Sequence, residues 1–294
     1  MQNNQNYQQS FLDNNYAQLD NSPKTRKRTN LTIISYVLIF MVLSSIILTI
    51  IQLAYMGVKG YKLDYINIDS ELFNKNIYNE ILYFSGSIGN FVTYVIGIIV
   101  ILVLAGYMLI DDFKALSKQK IGTFILYVVV GYAFFMLCNY ISAIFQTVFN
   151  LTEEAGNEEA IVGILNSGTL NFVFMAISVV FLAPILEEIV FRKCFFNLFS
   201  RKFNVILTIL FSSLLFGAIH VVSPIINAVS VALEDPSKWS SVVTQVLYLF
   251  VYSAMGVGLG LAYQYSKRNL IPVIIIHMFN NFLSILITVL MPSI

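Results

Sequence analysis

Long apolar runs separated by short polar segments set the elements of this chain. Hydrophobic sequence fills residues 31–55, about 84–110, and 121–149. A fourth run begins near Leu170 and is broken by charge at Glu187. The last three occupy about residues 205–222, roughly 241–263, and 270–290. A hydrocarbon core of ~30 Å needs roughly 20 helical residues per crossing, and these runs are long enough. Barrel strands would be about half that length. The pattern therefore predicts an all-α fold, a polytopic transmembrane helical bundle of about seven spans. Gly97, Gly106, Gly122 and Gly131 lie in the second and third spans or at their edges, where small residues let helices approach closely. No internal repeat is evident.

Residues 1–29 are mostly Asn, Gln, Tyr and Ser, with too little apolar surface to offset the entropy of ordering. They are expected to be a disordered cytoplasmic tail, with no secretory signal ahead of the first span. Residues 30–169 then carry the first three spans with their loops, and residues 170–294 form the core that carries chemistry. The segment 57–83 is expected to be an ordinary connection. The acidic stretch with Glu153, Glu154, Glu158 and Glu159 is expected to be a solvated loop.

Composition agrees, with 57% hydrophobic and 11% charged residues against ~45–50% and ~25% in soluble domains. The distribution of charge adds orientation. With the N-terminus in the cytoplasm, the inside segments hold Lys24, Arg26, Lys27, Arg28, Lys114, Lys118 and Lys120. They also hold Arg192, Lys193, Arg201, Lys202, Lys267 and Arg268. Only Lys59, Lys62, Lys75 and Lys238 fall outside, as the positive-inside rule requires. Asp111 and Asp112 directly follow the second span and are expected to be solvated. Two cysteines, Cys138 and Cys194, exclude a disulfide scaffold and a thiolate zinc knuckle. There is no P-loop, no dinucleotide glycine run and no HExxH. No elbow motif surrounds Ser212, Ser213 or Ser223, and nothing resembles a nucleic-acid footprint.

Some residues do not belong in lipid, where a charge costs several kcal/mol and must face protein or water. The fourth span reads FLAPILEEIVFRK. Glu188 and Arg192 are four apart, on one helical face, and can pair. Glu187 is rotated about 100° away and is left for chemistry. Pro184 removes a backbone donor just ahead of them and can kink the helix. The chain has 2 histidines, His220 and His277, both in apolar helices. Asn281 shares a helical face with His277. Packed together, Glu187, His220 and His277 would make a two-histidine, one-carboxylate set suited to catalytic zinc. Without metal, Glu187 can activate water, while a histidine and Asn281 donate to an oxyanion. Depth from residue counts does not align them. At 1.5 Å per residue His277 lies about 13 Å in, Glu187 about 21 Å and His220 about 27 Å.

The chain resembles the CAAX protease and bacteriocin-processing (Abi, CPBP) family of membrane-embedded proteases. Glu187, Glu188 and Arg192 match its Glu-Glu-x-x-x-Arg motif. Phe216 and His220 match Phe-x-x-x-His, and His277 and Asn281 match His-x-x-x-Asn. The likeness covers roughly residues 170–292. It implies an intramembrane endopeptidase acting on peptides or membrane-anchored proteins from a cavity open to the cytoplasm. It casts Glu187 as water activator assisted by His220, with His277 and Asn281 on the oxyanion and Glu188 and Arg192 as supports. The family is described both as zinc metalloproteases and as glutamate proteases. Where many relatives place glycine after the arginine, this chain has Lys193. The bias toward Asn, Ile, Lys, Tyr and Phe fits a low-GC Gram-positive bacterium, hence a plasma-membrane location and relatives of lysostaphin-resistance or self-immunity type. The alternatives are a non-catalytic immunity or scaffold protein of the same fold and, less favoured, a small transporter, for which matching broken repeats are lacking.

Overall fold

A computed structural model describes residues 22–67, 70–151 and 155–290. Among the described residues, seven helices are long and apolar enough to cross a membrane. We number the helices α1 (Pro23–Lys59), α2 (Lys75–Ser117), α3 (Ile121–Val148), α4 (Gly156–Leu165), α5 (Thr169–Phe199), α6 (Val205–Glu234), α7 (Trp239–Tyr265) and α8 (Leu270–Leu290). All but the short α4 are candidate spans, and no strand occurs among the described residues.

The first helix begins within the segment expected to be disordered. Ser22 caps it, accepting from the Thr25 amide at 3.2 Å, and Pro23 takes the first turn, where its missing N–H costs nothing. Thr25, Thr29 and Thr32 are buried, which fixes the turn in place. The rest of the expected tail, residues 1–21, lies outside the described residues. Helix α2 starts at Lys75, earlier than its apolar run, because Asn74 accepts from the amides of Asn76 and Ile77.

The acidic stretch is also not wholly a loop. From Gly156 it forms α4, with Glu158 and Glu159 in the first turn, where the helix dipole favours carboxylates. Glu153 and Glu154 lie outside the described residues. The Gly156 amide donates to Gln245 at 3.2 Å, and Ile164 packs at Gly86, so α4 bridges α7 and α2.

Helix α5 runs continuously through its charges. Two π-helical turns, Ser178–Leu182 and Ile189–Phe195, bracket an α-helical piece, Ala183–Glu188, that holds Pro184 and both glutamates. Around it lies the main core: Tyr36 from α1, Ile101 from α2, Phe135 from α3, Phe216 from α6, Leu259 from α7 and Ile276 from α8. The helix that carries both glutamates is thus the central one, while Val103, Ile121, Leu233 and many other apolar side chains face outward, as a lipid-facing surface requires.

Candidate active site

Two adjacent glutamates enter the core with different partners. Arg192 Nε donates to Glu188 Oε2 at 3.0 Å, and both side chains are fully buried. Arg192 Nη1 donates to Ser212 Oγ at 3.2 Å, and Ser212 in turn donates to the Phe191 carbonyl at 2.7 Å. The second oxygen of Glu188 is taken as well: His277 Nδ1 donates to Oε1 at 3.0 Å. A carboxylate accepts here, so the Nδ1 proton is fixed and Nε2 is the atom His277 offers. It faces Glu187 Oε2 at 3.8 Å, beyond hydrogen-bond length. Glu187 is thus the member of the pair without a guanidinium partner.

His220 has the same polarity. Its Nδ1 donates to the Phe216 carbonyl one turn back at 3.0 Å, leaving Nε2 as the open atom. The two imidazoles flank one phenyl ring, their centroids 4.7 Å (His220) and 5.9 Å (His277) from that of Phe216. Tyr252 packs on the far side of His220 at 4.8 Å.

Asn281 is tied to a defect in the backbone. In the π-helical turn, Ala183 N–H reaches back five residues to the Ser178 carbonyl. The matching donor for Val179 would be residue 184, a proline. Asn281 Nδ2 supplies it, donating to the Val179 carbonyl at 2.9 Å. One amide hydrogen is used this way and one remains.

The structure therefore brings Glu187, Glu188, Arg192 and His277 into direct contact, seats His220 across Phe216, and anchors Asn281 on the same central helix. It does not gather Glu187, His220 and His277 as ligands. Among the described residues no three His, Cys, Asp or Glu side chains are grouped to hold a metal ion. Both Nδ1 atoms bond oxygen and leave Nε2 free, the polarity of a metal-ligating imidazole, but the donors are not drawn into one group. A cavity of about 500 Å³ lined by Tyr55, Glu80, Phe84, Ser167 and Asn171 contains none of the six motif residues.

One further residue escaped the reading of the sequence. Asp112, expected to be solvated, is buried and pairs with Lys193 at 2.7 Å. Its helix is fixed against the start of α8, so its carboxylate points inward. The signal available beforehand was the lysine standing where relatives have glycine.

Residues 169–283 match the family described as Rce1-like, type II CAAX prenyl endopeptidase. YdiL of Bacillus subtilis, named as a candidate membrane peptidase, is 25% identical over 196 residues, which cover 66% of this chain and 69% of that protein. An uncharacterized protein of Mycoplasma capricolum is 28% identical over 182 residues, covering 60% of this chain but 46% of its own length. No solved structure matches the chain significantly. The matched segment contains Glu187, Glu188, Arg192, His220, His277 and Asn281, so over residues 169–283 the chain is similar to the CAAX prenyl endopeptidase family.

Proposed function

We propose that the chain is a multi-pass membrane endopeptidase that hydrolyses peptides or membrane-anchored proteins with water activated by Glu187. The observation that carries this reading is the division between the two glutamates. Glu188 is saturated by Arg192 and His277, whereas Glu187 faces the open Nε2 of His277 across 3.8 Å. A buried carboxylate without a guanidinium partner is costly unless it has chemistry to perform.

Glu187 takes a proton from water held against the open Nε2 of His220, and the hydroxide attacks the scissile carbonyl carbon. The remaining amide hydrogen of Asn281 donates to the developing oxyanion. His277 donates from Nε2 when its ring carries both protons, with Glu188 as counter-charge. Collapse of the tetrahedral intermediate breaks the C–N bond, and Glu187 returns its proton to the leaving amine. Arg192 and Glu188 touch no reacting atom; they hold His277 in one tautomer and orientation. The site opens toward the cytoplasm of a Gram-positive cell on this reading, supported by the sorting of basic residues.

The test is peptide hydrolysis in nanodiscs, using a library of membrane-anchored peptides. The parent is expected to cleave, and Glu187→Gln to lose at least about a hundredfold in rate while remaining folded. Equal cleavage by both proteins would remove Glu187 from the mechanism. On the reading in which Glu187 alone activates water, a chelator is expected to leave the rate unchanged, and a chelator-dependent loss restored by zinc would favour a metal held by Glu187, His220 and His277 instead.

A further inference from the structure

Lys193 and Asp112 meet where α2, α5 and α8 come together. Lys193 Nζ lies 2.7 Å from Asp112 Oδ1 and also donates to the Arg268 carbonyl at 3.0 Å. The other carboxylate oxygen, Oδ2, accepts from the Leu270 amide at 2.8 Å. Leu270 opens α8, so Asp112 satisfies one of that helix's unpaired N–H groups from another helix and adds negative charge at its positive end. The Asp112 carbonyl accepts from Asn269 Nδ2 at 2.8 Å. Lys267 and Arg268 are left-handed, with φ of 56° and 61°, so the turn before α8 is held in a conformation that non-glycine residues disfavour.

We infer that the Lys193–Asp112 pair is a positioning clasp that fixes the height and rotation of α8, and so the placement of His277 against Glu187. His277 is seven residues beyond Leu270, two turns up the same face. Lys193 adjoins Arg192, which holds Glu188, and Glu188 bonds His277. Helices α5 and α8 are therefore joined at three levels: the clasp at the start of α8, Glu188–His277 two turns on, and Asn281–Val179 one turn further. Without the clasp the first two turns of α8 are held from one end alone, and His277 is the first attachment to feel their movement. The catalytic consequence rests on the peptidase reading above, whereas the structural one does not.

The test uses the full chain in nanodiscs with Lys193→Met, Asp112→Asn and the double variant. Hydrogen exchange at Leu270 and the turn after it is expected to quicken by about tenfold in each variant while α3 keeps its protection. Unchanged exchange there, or quickening spread evenly over all helices, would overturn the clasp. In peptide hydrolysis, kcat is expected to fall by about tenfold to a hundredfold with KM within about threefold of the parent. The double variant is expected to be no worse than the poorer single one, because both act through one attachment. Losses that multiply, or that fall on KM alone, would overturn the positioning role. If the parent itself cleaves nothing, the peptidase reading falls, and exchange at Leu270 still decides the clasp.

Discussion

Arg192 uses its donors unequally. Nε meets Glu188, Nη1 meets Ser212, and Nη2 has no hydrogen-bond partner among the described residues, while the guanidinium carbon lies 5.3 Å from the Phe216 ring centroid. Removing this cation would leave Glu188 buried with His277 as its remaining partner. Arg192→Met is therefore expected to cost about 3–5 kcal/mol, read as a lowered unfolding midpoint in detergent. Arg192→Lys should rescue it poorly, since an ammonium cannot reproduce the fork to Glu188 and Ser212. The Glu188–Arg192 pair was legible because four-residue spacing on a helix brings side chains together wherever the helix goes. The bond between Glu188 and His277 was not, because their separation of 89 residues carries no local signal. That second bond explains why the paired glutamate still matters to the site.

Helix α5 shows how a proline is accommodated. Pro184 leaves the Val179 carbonyl without its donor, and Asn281 fills the gap from α8. Asn281→Ala is expected to cost about 1 kcal/mol in the parent and much less in a Pro184→Ala background, where the helix can supply its own N–H. A double-mutant cycle in a thermal unfolding assay measures the difference, and additive costs would show that the two residues are not coupled. Elsewhere a glycine sets the spacing of two helices. A Cβ on Gly217 would meet Ser253 Oγ and lie 2.8 Å from the Leu249 carbonyl oxygen, which is backbone and cannot swing aside. Gly217→Ala should force α6 from α7 and destabilise by about 1–3 kcal/mol. The kink residue could be seen beforehand. The π-helical turns could not, because they depend on how α5 settles among its neighbours.

At the scale of the molecule, the number of long helices was readable from hydrophobic run length alone, and α5 was readable as the helix that carries charge into the apolar interior. The depths counted from basic turns assume that every such turn lies at one level. Leu270, which opens α8, bonds Asp112, six residues and about 9 Å back from Lys118 along α2, so the two turns are offset along the bundle. Helix α4 was missed because ten residues led by glycine and rich in glutamate resemble a solvated connection until Gln245 and Gly86 are seen to receive it. Orientation can be checked with introduced cysteines, since Cys138 and Cys194 are both buried and should stay silent. On intact cells an impermeant maleimide is expected to label Lys62→Cys and not Lys118→Cys, both being exposed positions. The reverse pattern would invert the chain in the membrane.

The π-helical turn at Ser178–Leu182 can also be regarded as one residue more than an α-helix would spend on the same length. Helix α5 therefore has a phase as well as a sequence. Excising Val180 would let the turn close into ordinary α-helix of the same length, so the part beyond it would keep its phase. Glu187 would still face His277, whereas the same deletion among Ala183–Glu188, where no extra residue is stored, would swing everything beyond it by about 100°. A relative that carries all three motifs but lacks the extra residue would be expected to keep the arrangement of the site as well.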